Sequence, residues 1–111
     1  MSLVTDDMVS AALHYLSTNT QATAEAKANR VMAEYARKRC RALQICESNQ
    51  TSFAMREAAA EASEAYLQAC QFEADAVEAD EYHRACRAKA EAIIEAWRTE
   101  NANVRAAERV R

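Results

Sequence analysis

The sequence predicts an all-α protein: a short N-terminal helix followed by long antiparallel helices, arranged as a coiled-coil-like hairpin or small bundle. Three observations carry that expectation. None of the 111 residues is glycine or proline, about a quarter are alanine, and apolar residues recur at helical spacing along most of the chain. Alanine has the highest helix propensity of any residue, and both residues that usually interrupt helices are missing. The same composition excludes several common enzyme motifs. Phosphate-cradling loops, nucleophile elbows and dinucleotide fingerprints all need the positive φ or close backbone approach that glycine supplies.

The first helix is expected over residues 6–17. Thr5 stands before Asp6 and Asp7, followed by Met8, Val9, Ala12, Leu13 and Leu16 at helical spacing. Thr5 therefore reads as an N-cap, with two acids at the positive end of the helix dipole. The polar run Ser17, Thr18, Asn19, Thr20 ends it, because such side chains compete for backbone hydrogen bonds, and Thr20 is expected to cap the next helix.

A long amphipathic helix is expected over residues 21–47. Its apolar stripe reads Ala24, Ala28, Val31, Tyr35, Ala42 and Ile45, with Met32, Leu43 and Cys46 beside it. The polar run from Ser48 to Ser52 is the second break. From Phe53 onward the C-terminal helical region extends to about residue 108, all within one domain spanning 1–111. Heptads counted from Trp97 give a single seam through Ala58, Ala62, Ala65, Ala69, Phe72, Ala76 and Ala79, then His83, Cys86, Ala90, Ile93, Trp97, Glu100, Val104 and Ala107. This reads as one long helix, with Ser63 able to cap a new helix after the Ala58 to Ala62 run; ordinary bundle packing with bends near Ser63 or Asp80 is the alternative. Ala69, Phe72, Ala76, Cys86, Ile93, Trp97 and Val104 are the expected interface residues, with Phe72, Ile93 and Trp97 as bulky anchors between alanines that permit close approach.

Alanine buries little area, and aromatics make up only 6% of the chain, so a lone copy would have a thin core. Self-association is the expected remedy. Charge is segregated: residues 21–56 carry a net +4, whereas residues 57–81 carry −8 with no lysine or arginine. Opposite blocks of this kind suggest a basic helix lying against an acidic one. The net charge of −3 argues against a generic nucleic-acid binder. The cluster Arg37, Lys38, Arg39 and Arg41, joined by Arg30, is nevertheless the best candidate for contacting phosphate, with Tyr35 nearby to stack on a base.

Catalytic and metal chemistry find little support. Asp80, His83 and Cys86 recur every three residues and could offer three ligands from one helix, but a zinc site needs a fourth. Cys86 lies in mid-helix without an activating environment for a thiolate. Cys40, Cys46, Cys70 and Cys86 are separated by six, 24 and 16 residues, which matches no disulfide framework. The opening segment lacks a basic start and a long apolar run, so no signal peptide is expected, no membrane association, and a cytoplasmic location with reduced thiols. Neither metal nor cofactor is expected.

Several segments together resemble small helical proteins encoded by tailed phages and prophages. They are Thr5-Asp6-Asp7-Met8-Val9 with Ala12 and Leu16; Met55-Arg56-Glu57-Ala58 with Ala62-Ser63-Glu64-Ala65-Tyr66; and the stretch from Ile94 through Trp97 to Arg105. The resemblance spans most of the chain and transfers no catalytic residue. It implies, by association, a place among early phage functions near recombination and single-strand DNA handling. Ala65 and the lack of proline near Ser63 depart from the resembling pattern and argue against a helix break there. The combined expectation is a non-enzymatic, homo-oligomeric interaction or scaffold protein of phage or prophage origin, dimeric or higher, with a phage or host protein as a further partner. The alternative is an accessory nucleic-acid-binding protein linked to phage DNA recombination, using Arg30, Arg37, Lys38, Arg39 and Arg41.

Overall fold

A computed structural model describes residues 3–110, which form four helices and no strand: α1 (Asp6–Thr18), α2 (Thr20–Glu47), α3 (Phe53–Glu61) and α4 (Glu64–Val110). The all-α expectation holds, and each boundary has a local cause. Thr5, in extended backbone, accepts a hydrogen bond from the Met8 amide at 3.1 Å and so caps α1. At the other end, Ser17 and Thr18 donate their hydroxyls to the His14 carbonyl at 2.9 and 2.8 Å, and the Asn19 amide donates to Tyr15 O. The polar run thus satisfies the carbonyls that a helix end leaves open. Thr20 is not the expected cap. It is the first residue of α2, and its hydroxyl turns back to Leu16 O at 3.1 Å.

The second break falls where expected. Ser48 Oγ accepts from the Gln50 amide, and Ser52 caps α3 by accepting from the Met55 amide, both at 3.2 Å. The expected continuous helix from Phe53 is corrected at Ser63. There the hydroxyl accepts from the Tyr66 amide at 3.2 Å and donates to Ala60 O at 2.7 Å, so one side chain closes α3 and opens α4. A serine cap achieves without proline what the propensities on either side oppose. Beyond it α4 runs 47 residues with no interruption at Asp80.

The contacts gather in two compact units. One unit comprises Met1–Thr23 with Tyr82–Arg111, the other Ala24–Glu81. In the first, α1 lies antiparallel to the later part of α4: the Leu3 amide donates to Glu100 Oε1 at 3.1 Å, while Tyr15, further along α1, lies beside Cys86. Val4, Val9, Ala12 and Ala90 are buried there, and Tyr15, Leu16, His83, Cys86, Ile93 and Trp97 are half-buried. In the second unit the buried residues are Ala26, Ala33, Ala60 and Asp80. Among the described residues of either unit, no large side chain is fully buried.

The seam on α4 follows the expected heptads only in part. Within the first unit His83, Cys86, Ala90, Ile93, Trp97 and Glu100 all turn inward, whereas Val104 is 55% exposed. Within the second unit Ala69 and Ala76 keep their inward places, but the positions between them move on by one residue. Tyr66, Glu73 and Asp80 face in, where Ala65, Phe72 and Ala79 were expected, and Phe72 is 61% exposed. The stripe on α2 needs a larger correction. Ala26, Arg30, Ala33, Arg37 and Cys40 face in, whereas Ala24, Ala28, Val31, Tyr35 and Ala42 are exposed; of the expected stripe only Ile45 is half-buried.

Candidate interaction surface

Ion pairs explain why the second unit turns its apolar stripe outward. Arg30 Nη1 reaches Asp80 Oδ2 at 3.0 Å and Glu81 Oε1 at 2.8 Å, and Arg37 Nε bonds Glu73 Oε2. Arg41 bridges Glu61 at 3.1 Å and Glu57 at 3.5 Å, tying α2 to α3. From Arg30 to Arg37 is seven residues forward on α2, and from Asp80 to Glu73 is seven residues back on α4. The two helices are therefore antiparallel, with charged contacts one heptad apart. Between them the alanines let the backbones approach closely; Ala33 is 0% exposed.

Asp80 fixes this register most strictly. It is 3% exposed, so its charge has little water and depends on Arg30. The Arg30 guanidinium is held above its ordinary pKa by its hydrogen bonds to Glu81 and then Asp80, and Arg37 likewise by Glu73 and then Tyr66. With the Arg41 bridges, these pairings engage three of the five cations that were candidates for contacting phosphate. Of the other two, Lys38 lies 3.1 Å from Glu34 on its own helix, and Arg39 has no ion pair among the described residues.

The consequence is an inverted surface. Val31, Met32, Tyr35, Leu43, Phe53, Met55, Leu67 and Phe72 are all exposed in the second unit, while alanines and carboxylates occupy its interior. Counting about 100° per residue, Val31 and Tyr35 stand about 160° from Ala33, on the face of α2 opposite its packed side. The sequence shows this stripe but not that it faces away from the packed side of α2. The missed signal is the matched seven-residue spacing of Arg30 and Arg37 with Glu73 and Asp80. An apolarity scan discards those positions.

The first unit has a different character. Tyr15 Oη and His83 Nδ1 are shielded from water and make no well-formed hydrogen bond. Burial, followed by the nearby Cys86 thiol, raises the Tyr15 pKa above its ordinary 10.0, and a hydrogen bond with Cys86 raises that of Tyr82. The Tyr82 and His83 rings meet edge to face, with centroids 5.7 Å apart. A cleft of about 420 Å³ opens between Met8, Ala12 and Tyr15 on α1 and Cys86, Lys89 and Ile93 on α4. Trp97 is half-buried, in keeping with an anchor inside this unit.

Among the described residues, no three His, Cys, Asp or Glu side chains converge as a metal site would require. Nor is any described helix long and apolar enough to cross a membrane. Comparison with protein families, curated proteins and solved structures finds no match to this chain.

Proposed function

We propose that this chain is a non-enzymatic, oligomerising interaction protein, a helical scaffold of phage or prophage origin that acts in the cytoplasm by presenting surfaces to other subunits. One observation carries the reading: in the unit Ala24–Glu81 most large apolar side chains stand outside, and the buried positions are alanines and Asp80. Each exposed Val, Met, Leu, Tyr or Phe gains on the order of 1 kcal/mol when a partner covers it, a gain the isolated chain leaves unused. Exposed apolar side chains gathered on one helix face are the usual mark of a contact site. The basic cluster adds less support to a nucleic-acid role, because Arg30, Arg37 and Arg41 already serve carboxylates.

The test is molar mass by light scattering coupled to size-exclusion chromatography. A dimer or larger assembly is expected at micromolar concentration. A monomer persisting at high micromolar concentration refutes the proposal.

A further inference from the structure

We infer that the outer face of α2, formed by Ala24, Ala28, Val31, Tyr35 and Ala42, docks in parallel register on the same face of a second copy of this chain. The inference rests on the oligomeric reading above and names the surface that carries it.

Three features of that face point to a second copy. The first is its period. Counting Lys38 as the missing member, the positions run 24, 28, 31, 35, 38, 42 and 45, alternating four and three residues as a two-stranded seam requires. Helix α2 therefore carries two seams on opposite sides, and the unit itself occupies only the one through Ala26, Arg30, Ala33 and Arg37.

The second feature is area. Val31 is 44% exposed, and Met32 and Tyr35 are each 64% exposed. Together these three offer on the order of 300 Å². The alanines and the stems of Lys27, Lys38 and Arg39 bring the face to the order of 700 Å², within the range of one partner's half of a standard interface.

The third is charge along the edges. In a parallel pair, the residue just before one seam position faces the residue five further along the partner. Glu34, just before Tyr35, then meets Arg39 of the second copy, and the two-fold axis repeats the contact. Arg39, like Lys27, makes no ion pair among the described residues within its own unit. The antiparallel direction instead sets Glu34 against its own symmetry mate and Lys27 near Arg41. Lys38 is the one charged residue in the seam. Its ammonium lies 3.1 Å from Glu34, at the edge, and a single charged seam position fixes register at some cost in affinity.

The test compares the full-length chain with Val31→Glu, Val31→Cys and Leu67→Glu, the last lying on α4. By light scattering the wild type and Leu67→Glu are expected to be dimers. Val31→Glu should keep wild-type helicity, because the position is exposed within its unit, yet dimerise at least tenfold more weakly. Under mild oxidation Val31→Cys should give a disulfide-linked dimer well above the wild-type background, since parallel register places the two copies of that position side by side. This readout also decides the matter if Val31→Glu fails to fold. A wild-type dimer with no such cross-link, and with Val31→Glu as tightly paired as wild type, overturns the α2 interface while leaving the oligomeric reading in place. A monomeric wild type overturns both.

Discussion

The two units reach burial by different means. Ala24–Glu81 is held by alanine contacts and a ladder of guanidinium–carboxylate pairs, whereas the unit of Met1–Thr23 with Tyr82–Arg111 gathers Val4, Val9, Tyr15 and Trp97 between α1 and α4. In the first case charge sets the register and large apolar residues are left outside; in the second, apolar side chains do the packing. A buried ion pair contributes specificity more readily than net stability, because desolvating both charges offsets much of their attraction. The ladder unit therefore has a well-defined helix alignment but a thin apolar core.

The sharpest way to break this contrast is at Arg30. Arg30→Ala leaves the Asp80 carboxyl without its guanidinium partner and nearly without water, and the melting midpoint is expected to fall by about 10 °C. Amide exchange should rise first within residues 24–47 and 64–81. The double change Arg30→Met with Asp80→Leu should recover most of the loss, since an apolar pair of similar volume carries no desolvation cost. Failure of the double variant to recover would mean that the pair itself holds the unit together.

A smaller effect is expected from Ala33→Leu. Ala33 has no exposed surface, and its methyl sets how closely α2 approaches its neighbours. Forcing a larger side chain there should cost about 1–3 kcal/mol in chemical denaturation. The same change at exposed Ala28 should cost little, and equal losses at the two sites would contradict the assigned faces.

The smallest effect concerns the other unit and appears only in alkali. The Tyr15 and Tyr82 pKa values are raised, Tyr15 chiefly by burial and Tyr82 by its hydrogen bond with Cys86. The folded state thus holds these phenolic protons more tightly than the unfolded chain. Their contribution is complete below the ordinary value of 10.0 and is lost as pH rises above it. Tyrosinate absorbance should show late ionisation of both, and Tyr15→Phe should flatten the fall in stability above pH 10. An unchanged alkaline profile in that variant would place Tyr15 in water.

The helical character of the chain and the extents of α1 and α2 were legible in the sequence, and so were Thr5 as a cap and the breaks at residues 17–20 and 48–52. These are local matters, settled by propensity and by hydroxyl groups that compete for neighbouring amides. The stop at Ser63 was open: a cap there and an unbroken helix were both compatible with the sequence. Alanines on both sides favour helix, and only the geometry of that hydroxyl shows it serving two helix ends at once. On α4 the inward positions of the first unit matched the heptads because they are largely apolar. In the second unit they did not, because Glu73 and Asp80 displaced Phe72 and Ala79.

The chain by itself determined that it is helical, roughly where its helices begin, and that its basic and acidic blocks should meet, because those properties follow from composition and neighbouring residues. Only the tertiary structure decided which side of α2 is inside. That helix carries two stripes of helical period, one apolar and one of alanine with arginine, and apolarity alone favours the first. The choice fell to the second because Arg30, Arg37 and Arg41 find carboxylates at matching heights on α3 and α4, a coincidence of position between distant segments that no local pattern can express.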